Sequence, residues 1–192
     1  MMTFAVATTL LLIGAPAQAS ADTAMSIATC VADSEPRGVR KLLSTLPGSD
    51  DEARASRKLA VAYDACRGTV WYDFADARAL LAVAIMAGSA NRPGSVAASP
   101  WYASAISGRS VGVDYSAAEV ARQQYGTCIA AAAPSASAQL VMAAPGSAEE
   151  RAAIGALKPV LGGCIVQGQT VKLTASNLRL MLAEPLYHAT AN

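Results

Sequence analysis

Charge of either sign, aromatic side chains and long apolar runs are all scarce in this chain, and each scarcity excludes something. Over 192 residues, 15 Lys+Arg stand against 14 Asp+Glu, and only 15% of residues are charged. A net charge of +1 fits neither a polybasic nucleic-acid binder nor an acidic tail. Aromatics make up 5% of the chain and there is a single histidine, His188, so a β-sandwich and a histidine-rich metal site both lack raw material. EF-hand, G-x-G-x-x-G and P-loop patterns are absent, which leaves metal, nucleotide and other cofactor readings without support. The longest apolar stretch after residue 20, Ala79 to Gly88, is a core helix by length, too short to span a membrane.

What is abundant is alanine, with 44 of the 192 residues. Alanine is the best helix former and a poor core filler. The composition therefore favours closely packed helices, and the expected fold class is all-α.

The first 21 residues carry no charge, and an apolar stretch from Phe4 to Ile13 is followed by Ala17-Gln18-Ala19. That order of features, with a small-x-small cleavage pattern, reads as a signal peptide over residues 1–19 with Ser20 as the mature start. The usual basic residue of the n-region is missing.

Cysteines lie at 30, 66, 128 and 164, so both intervals are 36 residues. Equal spacing invites an alignment at an offset of 98. Thr29–Cys66 laid over Thr127–Cys164 gives 12 identities in 38 positions without a gap, among them Pro36/Pro134, Pro47/Pro145, Gly48/Gly146, Ser49/Ser147, Glu52/Glu150 and Leu59/Leu157. Beyond the last cysteine the offset becomes 101, and Arg78 and Leu81 fall on Arg179 and Leu182. The expectation is a tandem duplication, with one helical repeat over 20–87, a linker or surface loop over 88–115, and a second repeat over 116–192.

Each copy reads as a helical hairpin with flanking helices. Pro36 and Pro134 suit a first helical position, where a missing N–H costs nothing. The helical runs behind them, Val39 to Leu46 and Ala136 to Ala144, stop at Pro-Gly. Ser49 and Ser147 then begin the second arm, with Glu52 and Glu150 three residues later completing an S-x-x-E capping box. In the second copy Pro159 and Gly162-Gly163 are expected to end that arm early. A third helix starts near Asp73 in one copy and Thr174 in the other.

Antiparallel arms bring the chain back to its starting end, so the expected bridges are Cys30–Cys66 and Cys128–Cys164. Spacing alone leaves three pairings open, but only pairing within a copy survives duplication unchanged. Each bridge closes a loop of 36 residues and, on the chain-entropy argument, stabilises by about 3–4 kcal/mol. It also argues for an oxidising compartment, periplasmic or secreted. The β-prone runs Thr69-Val70-Trp71-Tyr72 and Thr170-Val171-Lys172-Leu173 occupy equivalent places and are expected to pair as a small two-stranded ribbon between repeats.

Candidate binding residues are Trp71, Trp101 and Tyr102, the last two in the Gly/Ser/Pro-rich loop, where core or seam packing is the plainer reading of each. Arg78 and Arg179, equivalent in the two copies, could bind an anion, but pairing with carboxylates or carbonyls between repeats is the plainer reading. The one catalytic-looking pattern is Gly108-Arg109-Ser110-Val111-Gly112, followed by Asp114 and His188. It lacks the strand before and the helix directly after the serine that a nucleophile elbow requires. The reading is thus a non-enzymatic exported protein, an interaction module or envelope-structural element for a protein partner. The alternative is a small-ligand or lipid-binding protein with a cavity lined by Leu81, Met86, Leu182 and the Trp71 region, and the weakest is a serine hydrolase using Ser110.

Because each capping serine satisfies an otherwise orphaned N–H, Ser49→Ala and Ser147→Ala are each expected to cost about 0.5–2 kcal/mol. The urea midpoint of each variant checks this, and two unchanged midpoints refute it.

Overall fold

The computed structural model describes residues 17–67, 74–88, 117–165, 168, 170, 171 and 173–191. Among these residues the chain forms eight α-helices and one 3-10 turn, and no strand. The helices are α1 (Ala17–Ser34), α2 (Pro36–Leu43), α3 (Asp50–Arg67), α4 (Phe74–Gly88), α5 (Ala117–Ala132), α6 (Pro134–Met142), α7 (Ala148–Leu161) and α8 (Ala175–Ala191), with the 3-10 turn at Gly162–Cys164. The all-α class is as the composition implied. The expected ribbon is not found among the described residues: Thr170, Val171 and Leu173 are not in a strand, and Thr69–Tyr72 lie outside them.

Local chemistry explains the breaks. Pro36 and Pro134 sit at the start of α2 and α6, and the residues before them, Glu35 and Ala133, leave helical geometry with ψ of 55° and 66°. A proline pushes its predecessor out of the α region, so one long helix becomes two. At Leu46-Pro47-Gly48-Ser49 the Ser49 N–H donates to the Leu46 carbonyl at 3.1 Å, and Gly48 has φ of 71°. Ala144-Pro145-Gly146-Ser147 repeats this, with a 3.1 Å bond and φ of 74° at Gly146. Proline second and a positive-φ glycine third is the signature of a type II turn, and only glycine takes that conformation without strain.

Helices α1 to α4 pack as five pairs: α1 on α2, α3 and α4, and α2 on α3 and α4. Helices α5 to α8 pack as the corresponding five. The two groups meet mainly along α4 and α8, and Leu42, Leu59, Leu81, Met86, Ile129, Leu140, Leu157, Leu182 and Leu186 belong to one continuous apolar core. Disulfides Cys30–Cys66 and Cys128–Cys164 join α1 to α3 and α5 to the end of the 3-10 turn, with Cα–Cα distances of 5.8 and 5.7 Å. Among the described residues no helix is long and apolar enough to cross a membrane.

One proline departs from the sequence expectation, and a second lies inside a helix. Pro159 does not end α7, which continues to Leu161 before the glycines tighten it into the 3-10 turn. Pro159 and Gly155, whose carbonyl loses its helical donor, are both exposed, so water is at hand to replace that bond. Pro185 lies inside α8 and removes the donor to the Met181 carbonyl. There α5 crosses close by: a Cβ built on Gly126 would stand 2.1 Å from the Met181 oxygen. The glycine is what lets the two backbones meet.

Gly126→Ala forces helix backbones apart and is expected to destabilise by about 2 kcal/mol or more. Gly155→Ala, where an added Cβ meets nothing within 4 Å, removes a helix-interior glycine and is expected to stabilise by about 0.5–1 kcal/mol. Thermal melts of the two variants should move in opposite directions, and a Gly126→Ala variant as stable as the wild type refutes the close crossing.

Candidate functional site

The concentration of chemistry in this structure is a buried charge cluster where α4, α8, the α2 terminus and the start of α3 converge. It begins with capping. Ser49 and Ser147 accept from the N–H groups of Glu52 and Glu150 at 3.1 and 3.0 Å. The returning glutamates do not reach the serine N–H, as the motif predicts, because the type II turn already uses it. Their Oε2 atoms accept instead from the N–H of the preceding glycine, Gly48 or Gly146, the latter at 2.6 Å.

The other oxygen of each glutamate meets an arginine. Arg179 on α8 donates to Glu150 Oε1 at 2.8 Å, to the Leu140 carbonyl at 3.2 Å and to the Ala143 carbonyl at 2.9 Å. Arg78 on α4 donates to Glu52 Oε1 at 2.8 Å, to the Leu42 carbonyl at 3.1 Å and to the Thr45 carbonyl at 3.1 Å. The last carbonyls of a helix have no intrahelical donor. Here a guanidinium fork supplies it, which accounts for α2 and α6 stopping three and two residues before the Pro-Gly pairs that were expected to end them. Both arginines and both glutamates are under 10% exposed.

Arg78 has a partner beyond its own half. It also donates, through Nε and Nη2, to Glu184 of α8, 106 residues away. His188, one turn further along α8, places Nε2 3.7 Å from the same carboxylate, and its ring meets that of Tyr187 edge-on at 5.2 Å. Burial by itself would raise the Glu184 pKa, but Arg78 and His188 outweigh it and hold the carboxyl below its usual range. Burial pushes the Tyr187 hydroxyl up, although Arg40 pulls it the other way. The expectation that these arginines bridge the repeats therefore holds for Arg78 only: the partners of Arg179 described above all lie in its own half.

Of the other candidates, Leu81, Met86 and Leu182 are buried in the common core, at most 1% exposed. Trp71, Trp101, Tyr102, Ser110 and Asp114 lie outside the described residues, and His188 is 7% exposed. Among the described residues no cluster of three His, Cys, Asp or Glu side chains is placed to hold a metal. Sequence reasoning missed Glu184. Its only signal was an acidic residue inside an apolar helical stripe, which is rarely tolerated unpaired. Comparison of the chain with protein-family models, curated proteins and solved structures gives no match.

Glu150→Ala strips Arg179 of its only carboxylate among the described residues and the Gly146 N–H of its acceptor, and is expected to cost about 3 kcal/mol or more. Arg54→Ala breaks an ion pair with Asp51 whose side chains are 60% and 71% exposed, and is expected to cost less than about 1 kcal/mol. Equal losses in urea would show that the buried pair has no special weight.

Proposed function

We propose that this protein is an exported, non-enzymatic helical scaffold of two duplicated repeats, acting in the periplasm or outside the cell as an interaction or envelope-structural module for a protein partner. The observation that carries this reading is the pair of disulfides, each closing a 36-residue loop around the same arrangement of helices. Bridges of this kind form and persist in oxidising compartments. Residues 1–19 supply the matching leader pattern, and their removal would leave α1 to begin near Ser20.

The binding role rests on where the charged groups are committed. Glu52, Arg78, Glu150, Arg179 and Glu184 are buried and bonded to one another and to the main chain, the pattern of a scaffold whose ionisable groups hold the frame. Two stacked helical units present extended outer faces suited to a macromolecular partner. Val61 on the outer side of α3 is 80% exposed and belongs to such a face. The burial of Leu81, Met86 and Leu182 in the core favours this reading over a ligand cavity at those residues.

The test is fractionation of cells expressing the full chain, with intact mass under non-reducing conditions and photo-cross-linking from position 61. Expected are a mature chain beginning at Ser20, no free thiols, and a discrete adduct in the envelope or secreted fraction. An unprocessed chain with reduced cysteines in the cytoplasm overturns the proposal.

A further inference from the structure

We propose that Arg78 and Glu184 form a charge latch between the two halves and that acid releases it, so that the α4–α8 seam opens while each half keeps its helices. The latch is one-sided. At the repeat offset of 101 the residue corresponding to Glu184 is Val83, and Ala87 corresponds to His188. The second half thus carries two ionisable groups at the seam for which the first half has only apolar counterparts.

Acid acts selectively here. Among the described residues two ion pairs cross the seam, Arg78–Glu184 in the interior and Arg122–Asp76 at the half-exposed rim, and both end on carboxylates. Inside the halves, the guanidinium groups also rest on main-chain carbonyls of Leu42, Thr45, Leu140 and Ala143, which do not titrate. The hairpins are closed there by disulfides.

The groups around Glu184 are few. Helix α4 presents Arg78, with Glu52 of α3 behind it, and α8 itself presents Tyr187 and His188. Arg40 of α2 acts on Tyr187, and α6 carries no ionisable side chain. On α5, Arg122 is held by Asp76 and Tyr125 by the Leu161 carbonyl. A protonated Glu184 would therefore leave Arg78 facing a neutral carboxyl at the seam. A depressed carboxylate stabilises the fold fully above the ordinary glutamate value of about 4.3. That contribution is lost as pH falls through the lower folded value.

The experiment is small-angle scattering with far-UV circular dichroism on the full oxidised chain from neutral pH into acid. The expected result is a reversible rise in radius of gyration at a step below the ordinary glutamate range, with helicity retained. Glu184→Gln should be expanded already at neutral pH and show no step, and Asp76→Asn should keep it. If Glu184→Gln does not fold, Glu184→Asp, with its shorter reach, should move the step to higher pH. Helicity lost together with compactness, a chain that stays compact in acid, a step unaltered in Glu184→Gln or Glu184→Asp, or one abolished in Asp76→Asn would each overturn the latch.

Discussion

A guanidinium does not shed its proton on burial, so an arginine inside a protein must be given acceptors. Arg78 and Arg179 impose that constraint twice, and much of the local architecture satisfies it. The terminal carbonyls of α2 and α6 are left open towards the arginines, and a Pro-Gly turn brings the next helix close enough for its third residue, a glutamate, to reach the same group. One glutamate then serves three partners: its carboxylate accepts from the turn glycine and the arginine, and its backbone N–H donates to the capping serine. Arg→Lys at either position would keep the charge but lose the planar fork that spans carbonyls and carboxylate together.

The disulfides and the buried arginines divide the work. A bridge limits the unfolded chain and ties the outer ends of the hairpin, α1 to α3 and α5 to the 3-10 turn. The arginine fixes the opposite end, where the hairpin turns and the third long helix of each half lies across it. Neither could replace the other, because a covalent tie between outer ends leaves the angle of α4 or α8 undetermined. The apolar stripes of Leu81, Met86, Leu182 and Leu186 supply the bulk of the burial that then holds these helices against each other.

Much of this was legible in the sequence because it depends on neighbours. Cysteine spacing, the proline at a helix start, the Pro-Gly turn and the S-x-x-E cap are all local patterns with a mechanical meaning, and each corresponds to a feature of the structure. Glu184 was illegible because its partner lies 106 residues away and no counterpart in the first half flagged it. The second role of Glu52 and Glu150 was hidden for a related reason: a capping box accounts for one oxygen, and nothing local says that the other faces an arginine. Pro159 misled because the rule that proline ends a helix assumes a carbonyl with no other donor, whereas an exposed position lets water substitute. Trp71, Trp101, Tyr102 and Ser110 lie outside the described residues and stand as sequence expectations.

The differences between the halves are as informative as the likenesses. Where the first half has Ala28 and Ala84, the second has Gly126 and Pro185, and these two meet at the Met181 carbonyl. Proline takes away that oxygen's helical donor, and glycine opens the space for another backbone beside it. Either change alone is unfavourable, since proline leaves a buried acceptor wanting and glycine leaves a gap. Together they draw α5 onto α8 more closely than an alanine pair allows. Glu184, three residues from Met181 and one from Pro185, stands on the segment of α8 that this crossing fixes. The close approach of α5 at Met181 thus lies beside the residue that carries the carboxylate to Arg78, and a charge buried at a seam is favourable only when its partner is held in place.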